Sequence, residues 1–489
     1  MHPKTVARVL ALSIILSAPL AQADWLVDSI LTGGQGMPTA PPGTPGGAES
    51  SGFSGSAGGG VLFEQINEDF FTTLEFSTEL SIGPVSLGVW VPLRFRVIDS
   101  DPQNGSVLRK EDWDEISDYA RLLRFVEVNV GGDTWRFRGR AGSLDNESIG
   151  HGTILAGYYN SLDRNHYQAG IALSTAFKFG GVQFMLDNFL APEIFGARVH
   201  VRPTSFFTDN EFANRLVLGA SYVADTKAPV SLINTSADPN VFIPQIDSTL
   251  NYQYTNTQVL SIAGVDLEYT ILRNSLIDLV PYVDLNFLID NGAGGSGSGT
   301  GFHVGVFFNI RIPSPVGPTL LTRLEYRRLG DGYAPRYIDS TYEGQRVQYD
   351  PSRPEVVPLT KLGWLRTPEI KGGNGWLGEL YLDFAGWVKV GGTYEDFDGP
   401  DNAALTLALI LPKIPRVELG GLFTRRGFDG FSDLFDLHGA LLTAFARARV
   451  WGPLMVVAEY ERTWARDPAT GHYKADDSWN AGVQLSFEF

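Results

Sequence analysis

Hydrophobic and polar positions alternate most cleanly at the end of the chain. From Trp479 the sequence reads W-N-A-G-V-Q-L-S-F-E-F. Trp479, Ala481, Val483, Leu485, Phe487 and Phe489 fall on one face of an extended strand, and Asn480, Gly482, Gln484, Ser486 and Glu488 on the other, because strand side chains alternate. Trp479 and Phe489 stand about 33 Å apart along such a strand. A tilt near 40–45° reduces this to roughly 25 Å, the height of the apolar band between the aromatic girdles of a membrane barrel.

A second pattern tests the first. Phe71–Ile82 and Val85–Val97 flank the two-residue turn Gly83-Pro84. Pairing Ile82 with Val85 sets Leu80 against Leu87, Phe76 against Val91 and Leu74 against Leu93. A slip of one residue would oppose them with polar partners. The other face carries Glu75, Ser77 and Glu79 beside Ser86, Arg94 and Arg96. Further short turns are expected at Gly131-Gly132, Gly180-Gly181, Arg273-Asn274, Pro313–Pro318, Ala385-Gly386, Pro412–Pro415 and Gly452-Pro453. Longer polar loops are expected near 100–119, 143–164, 225–257 and 330–373. This asymmetry suits the two ends of an outer-membrane barrel. The fold class is therefore all-β, a transmembrane antiparallel up-and-down β-barrel of about 18–20 strands. The count reaches 20 if Val61–Ile66 is the first strand.

The strand ending on Phe489 resembles the closing strand of Gram-negative outer-membrane β-barrel proteins, in which a C-terminal aromatic residue serves as an assembly signal. The resemblance implies location in the bacterial outer membrane, with membrane lipid and the barrel-assembly machinery as partners. It implies no activity. The stretch Ser148-Ile149-Gly150-His151-Gly152-Thr153 followed by Tyr158-Tyr159-Asn160, together with Asp112-Trp113-Asp114-Glu115, is similar to bacterial outer-membrane proteins without an assigned activity.

Upstream, Lys4 and Arg8 followed by the apolar run Val9–Leu16 and Ala21-Gln22-Ala23 read as a secretory signal, 1–23, cleaved before Asp24. Residues 24–60, rich in Gly, Pro and Ser, read as a flexible or luminal segment, and 61–489 as the barrel. Past the signal the longest mainly apolar run, Ala403–Leu411, has nine residues with Thr406 among them, far short of a spanning helix. A closed barrel is then the way to satisfy every backbone group in lipid.

Composition supports this reading. Charged residues are 19%, against roughly 25% in soluble domains, and aromatics reach 12%. With no cysteine, disulfides and attachment through an N-terminal cysteine are excluded. The net charge of −17 argues against nucleic acid as a partner.

The expected lumen face carries its charges in groups. Basic positions are Arg94 and Arg96, Arg136, Arg138 and Arg140, Arg323 and Arg327, and Arg447 and Arg449. Acidic positions are Glu75 and Glu79, Asp266 and Glu268, Glu379 and Asp383, and Glu459 and Glu461. These form either a charged constriction that selects solutes or a salt-bridge ladder stiffening a wet wall. Arg447 is expected diagonal to Glu459 across Trp451-Gly452-Pro453, within reach of an ion pair. The row Arg136, Arg138, Arg140, with no acid between its members, favours the constriction. If it is tied to carboxylates, Glu75 and Glu79 are the candidates.

His151 with Asp145 or Asp163 would be an acid–base pair, or a glycine-flanked histidine in a packed loop. No G-x-S-x-G or H-E-x-x-H motif is present. Two acidic groups, Glu111, Asp112, Asp114, Glu115 and Asp118, and Asp429, Asp433 and Asp436, could offer oxygens to Ca²⁺, but lack EF-hand spacing and read better as solvated loops. His303 and His438 read as wall residues.

The expected function is a cofactor-free channel for passive diffusion of small hydrophilic solutes, not an enzyme. A barrel this wide cannot be filled by its wall side chains, so water, an inward loop or the N-terminal segment must occupy it. The alternative is a surface binding or assembly protein that uses long loops on a closed barrel. Trp364 and Trp376 suit either loop docking or the barrel rim.

Overall fold

Alternating residues that are apolar on one side only need two environments, and a closed sheet supplies both. The computed structural model describes residues 53–66, 69–100, 106–132, 134–161, 167–238, 242–247, 252–290, 298–313, 317–347, 360–366, 372–399, 402–414, 416–430, 432–435, 440–466 and 473–489. The first ten wall strands are β1 (Phe53–Ile66), β2 (Asp69–Ile82), β3 (Val85–Ile98), β4 (Leu123–Gly132), β5 (Trp135–Gly142), β7 (Gly170–Phe177), β8 (Gly180–Leu186), β9 (Ile194–Val201), β10 (Leu216–Leu232) and β11 (Tyr254–Tyr269). The other ten are β13 (Ile277–Asp290), β14 (Ser298–Arg311), β15 (Thr319–Leu329), β17 (Gly373–Phe384), β18 (Val388–Phe397), β19 (Ala403–Ile414), β20 (Val417–Phe428), β21 (Ala440–Trp451), β22 (Leu454–Arg466) and β23 (Tyr473–Glu488). Three two-residue strands complete the set: β6 (Leu155–Ala156), β12 (Leu272–Arg273) and β16 (Ile338–Asp339).

Each wall strand pairs antiparallel with the next, and β23 returns to β1 through Gln484↔Gly60 and Val483↔Val61. The wall is a closed 20-stranded antiparallel barrel. Closure leaves no unpaired edge. The pairs Ile82↔Val85, Leu80↔Leu87, Phe76↔Val91 and Leu74↔Leu93 form as the hydrophobic pattern requires.

The two faces separate sharply. On β15 Leu324 points outward and is 64% exposed, while its neighbours Arg323 and Glu325 are 1% exposed inside. On β23 Val483 is exposed outside and Gln484 is buried inside. An apolar outer surface around a closed wall is what hydrocarbon requires. This is an outer-membrane β-barrel. No helix among the described residues is long and apolar enough to cross a membrane.

Several boundaries differ from expectation. β1 begins at Phe53 rather than at 61, so Gly55 and Gly58–Gly60 belong to the wall. Here glycine gives close approach rather than flexibility. A Cβ on Gly55 would lie 2.8 Å from the Phe489 ring, and one on Gly60 2.7 Å from Gln484. β10 runs on to Leu232 and β11 starts at Tyr254, so both strands extend into the expected loop 225–257. Gly180-Gly181 opens β8 instead of forming the turn. A Cβ on Gly181 would meet the Thr175 carbonyl at 2.1 Å. The signal and the rest of the 24–60 segment lie outside the described residues.

The largest apolar core lies inside the barrel. Leu144, Ile149, Ile154, Leu155 and Tyr158 from the β5–β7 connection pack with Tyr333, Tyr337, Ile338, Tyr342, Leu362 and Leu365 from the β15–β17 connection. Wall residues Ile194, Val223, Leu260, Ile262 and Leu288 complete the cluster. The two connections join through the parallel pair β6–β16, Leu155↔Ile338 and Ala156↔Asp339. Two of the long loops therefore fold inward.

The outer face gives a direct test. Val483 sits midway along the apolar band and pairs with Val61 and Val456. Val483→Arg is expected to cost about 2–4 kcal/mol near the midplane and Val483→Leu very little. The folded fraction on unboiled gels after refolding into lipid measures both. Equal yields would mean that this face does not meet hydrocarbon.

Candidate functional site: a charged lumen crossed by two loops

The first inward loop is fixed at its ends by one side chain. Asn160 accepts from the Leu144 amide at 2.9 Å and donates to the Asp187 carbonyl at 2.8 Å. Glu147 and Tyr158 exchange both backbone hydrogen bonds across it. Its tip turns through Gly150 (φ 59°) and Gly152 (φ 72°), a region that glycine enters without steric cost. These turns deliver His151 to the opposite wall. Nδ1 lies 2.7 Å from Asp284 on β13 and Nε2 3.1 Å from Glu268 on β11. The imidazole stacks on Tyr282 at 4.2 Å. Thr153 donates to the other Asp284 oxygen at 2.7 Å. Burial works against a charged imidazole, but the two carboxylates outweigh it and push His151 up to about 9. A small polar cavity lies beside it, lined in part by His151, Thr153, Ser221, Asp266 and Asn286.

The second inward loop is held mainly by charge. Arg346 meets Glu193 at 2.5 Å and Asp225 at 2.9 Å, and Asp225 also accepts from Tyr342 at 2.8 Å. Tyr158 of the first loop donates to Glu343 of the second. Arg366 grips both oxygens of Asp290 at 2.7 and 2.8 Å, the fork geometry that suits guanidinium to carboxylate. Asp339 faces Arg426 at 2.9 Å and Lys361 at 3.7 Å. Burial lowers Lys361 to about 8 despite Asp339.

Below the second loop the wall carries a chain of ion pairs. Glu325 accepts from Arg323 and Arg327, both at 2.5 Å, and lies 3.0 Å from His303. Arg323 and Arg336 reach Glu379 at 3.3 Å, and Arg327 reaches Glu395 at 2.8 Å. His303 is a wall residue as expected. His438 lies outside the described residues.

The expected lumen positions mostly have partners. Glu75 accepts from Trp90 at 2.8 Å and Glu79 pairs with Arg124 at 2.9 Å. Arg94 pairs with Glu64 and Asp112 at 3.0 Å, and Arg96 with Asp69 at 3.1 Å. Asp266 takes Arg198 at 2.6 Å. Glu268 meets His151, and Asp383 accepts from the Gly386 amide at 2.6 Å. Glu459 accepts from Asn480 at 2.8 Å, Glu461 is half-buried and Arg449 is exposed.

Two expectations need correction. Arg138 pairs with Glu127 and Glu147, and Arg140 with Glu127 and Asp145, so the acids come from the adjacent strand and loop rather than from Glu75 and Glu79. Arg136 has no ion-pair partner within 4.0 Å among the described residues and is half-buried. Arg447 lies diagonal to Glu459 as expected, since the register sets Phe445 opposite Glu459 and Arg447 opposite Val457, and it also reaches Glu418 at 3.7 Å. His151 turns to Asp284 and Glu268 while Asp145 is taken by Arg140. Asp163 lies outside the described residues.

The acidic stretch around Asp112 is not a solvated loop. Asp112 is fully buried among Arg94, Arg109 at 2.7 Å and Arg121 at 3.3 Å. Burial works against its charge, but the arginines hold it well below the usual carboxylate range. Guanidinium groups occupy its oxygens, and Asp118 is paired with Arg121. Asp436 of the second acidic group lies outside the described residues. Trp376 is on the outer face of β17, its ring tilted 60° to that of Tyr326 at 5.0 Å. Trp364 packs inside against the luminal core.

The sequence reading missed Asp225, Asp284, Asp290, Glu325 and Asp339, the wall and loop acids that hold the plug. A signal was present: inward positions of β10, β11 and β13 carry Val223, Leu260, Ile262 and Leu288 where a water-filled wall would be polar.

No family model matches the chain, and no curated protein is similar to it in sequence. Solved structures similar to it include the outer membrane protein OpdK of Pseudomonas aeruginosa, at 10% identity and TM-score 0.33, with 90% of this chain and 100% of that one covered. OprD of the same organism matches at 11% identity and TM-score 0.30, over 93% and 98%. A point mutant of the ferric enterobactin receptor of P. aeruginosa matches at 11% and 0.35, over 91% and 82%. Likenesses this distant carry no inference about activity. The closed wall and its apolar outer face define the chain as an outer-membrane β-barrel protein.

The His151 contact makes the docking of the first loop depend on pH. Its pKa rises from 6.5 to about 9. Its contribution is therefore complete below about 6.5 and fades as pH climbs through about 9, with a ceiling on the order of 3 kcal/mol. The protection of residues 148–156 against hydrogen exchange, taken relative to the intrinsic base-catalysed rate, should fall between pH 7 and pH 10. His151→Gln should raise exchange at pH 7 and flatten this response. An unchanged profile in His151→Gln would remove the imidazole from the latch.

Proposed function

We propose that the protein is a selective channel for small hydrophilic solutes, with a bore narrowed by the two inward loops. The observation that carries this reading is their placement: joined at β6–β16, they cross the lumen and are clamped to the wall by Arg346, Arg366, Tyr342 and His151. Ion pairs inside a barrel stiffen it and set the charge that a solute meets. On the β2–β5 side, Glu79, Glu127, Arg136 and Arg138 are only half-buried, which leaves a charged strip for water and solute. No cofactor is needed for such a path. We read no catalytic role, since both nitrogens of His151 are committed to carboxylates. Insertion through the barrel-assembly machinery is part of the same proposal.

A second reading has its own support. Loop residues Tyr158, Tyr342 and Leu362 are as buried as the core of a soluble protein, as suits a closed barrel that acts through its exposed loops.

Planar-bilayer recording separates the two. The channel reading expects discrete conductance from the wild type and a several-fold increase when 148–156 is replaced by a short Gly-Ser link. Silence from both, with each protein folded, would leave the docking reading. The ion pairs also predict selectivity by sign. Arg136→Ser should lower anion preference in reversal potentials. Adding Arg138→Ser and Arg140→Ser should drive it further toward cations, because Glu127, Glu147 and Asp145 lose their partners. Identical reversal potentials would take these residues out of the solute path.

A further inference from the structure

The end of the barrel with short turns has one exception. β9 and β10 are joined by 202–215, two short 3-10 turns, Pro203–Phe206 and Ala213–Arg215, with a polar stretch between them. The loop is well fixed. Arg202 donates to the Phe177 carbonyl at 3.1 Å, Thr204 to the Ala213 carbonyl at 2.8 Å, and Arg215 to the Ile271 carbonyl at 3.0 Å. It nevertheless leaves Phe206, Phe207 and Phe212 exposed at 59, 89 and 64%.

The direction of these rings is set by what they touch. Phe206 stacks on Phe179 at 5.0 Å, and Phe179 closes the hairpin beside outward-facing Phe177. Phe212 packs edge-on against Tyr269 at 5.9 Å. Tyr269 follows Val265 and Leu267 on the outward face of β11, both exposed. The loop therefore curls toward the lipid side of the wall. Its aromatic patch continues the apolar band.

The polar side chains sit apart from the rings. Thr208, Asp209, Asn210 and Glu211 are exposed together. Lys178 reaches Asp209 at 2.6 Å and lies over the Phe179 ring at 5.6 Å, and Arg215 lies over Phe212 at 5.4 Å. Rings toward hydrocarbon, with cations held at their edge, match the chemistry of a membrane interface, where apolar rings are buried at headgroup depth and basic side chains reach the phosphates.

We propose that 202–215 is an interfacial anchor that lays Phe206, Phe207 and Phe212 into the phospholipid leaflet at the short-turn end, the periplasmic end by the usual orientation of such barrels. Continuity with the lipid-facing band selects phospholipid as the occupant. The anchor fixes the depth and tilt of the β7–β11 side of the wall, next to the strands on which the inward loops are clamped. It rests on the membrane barrel alone, not on the channel reading.

The chain has no cysteine, so single nitroxide labels can be placed without background. Phe207→Cys, Phe212→Cys and Glu211→Cys would be labelled in the full-length protein, refolded into phosphatidylethanolamine–phosphatidylglycerol vesicles and checked for the folded band. Labels at 207 and 212 should collide several-fold more with oxygen than with a water-soluble nickel chelate, and the label at 211 should show the reverse. Chelate access at 207 and 212 equal to that at 211 would overturn the anchor. Shielding of 207 from both reagents would also overturn it, since that marks a protein partner or a second copy. If the cysteine variants fold poorly, Phe207→Trp against wild type in brominated lipid reads the same contact, with added quenching expected and none as the overturning result.

Discussion

Backbone pairing in lipid is the constraint from which the rest of this structure follows. Every amide and carbonyl at membrane depth needs a partner within the protein. β23 supplies the last set by pairing with β1, from Gln65↔Trp479 to Ser56↔Glu488. Closure at twenty strands fixes a wide interior, because barrel diameter grows with strand number. Wall side chains cannot meet across such a space. The chain fills it with its own connections, so the core of the protein lies inside the wall instead of between packed layers.

That solution carries an electrostatic cost and an answer to it. Buried guanidinium and carboxylate groups lose hydration worth several kcal/mol each, which pairing must offset. Here acids and bases meet in chains rather than isolated pairs. Glu325 serves Arg323, Arg327 and His303 together, and Asp112 serves three arginines. Removing one member leaves several others exposed to the full cost, so the network favours a single arrangement of loop and wall. The apolar contacts of Leu155, Ile338 and Leu362 add burial without direction. Charge sets position, and the apolar cluster contributes cohesion.

The wall was legible because its physics is local and periodic. The β2–β3 register followed from apolar partners in two adjacent segments, and the last strand from strict alternation. The lumen was less legible because its contacts join residues far apart in sequence. His151 meets Asp284 across 133 positions and Tyr158 meets Glu343 across 185. Nothing in the spacing of either pair marks it. Arg138 and Arg140 show a nearer failure. With no acid on their own strand they read as an unpaired row, but Glu127 is their neighbour through β4 and Glu147 and Asp145 come from the following loop. Glycines misled in the other direction: Gly55 and Gly58–Gly60 suggested a linker, yet they are wall positions, and at Gly55 and Gly60 neighbouring side chains leave no room for a Cβ. The part of the lumen that could be read early was its apolar stretch, Val223, Leu260, Ile262 and Leu288, since an inward apolar residue needs something apolar to cover it.

The two inward loops are therefore one mechanical unit rather than two separate flaps. Thr153 of the first loop accepts from Asn286, Asn286 also donates to Tyr333 of the second at 3.1 Å, and Tyr333 lies 3.1 Å from His303. His303 then joins Glu325 and, through Arg327, Glu395 on β18. A shift of the first loop alone would break the β6–β16 pair and leave Asn286, Tyr333 and Glu343 short of partners in a dry interior, where unpaired polar groups are costly. Either loop moves more cheaply with the other than without it. Local opening in proteins proceeds in such contiguous cooperative groups, and here the group is bounded by its ion pairs to the wall at Asp225, Asp284 and Asp290. A concerted movement of the loops would have to break these pairs together with Arg336–Glu379 and Asp339–Arg426, which also tie the second loop to the wall.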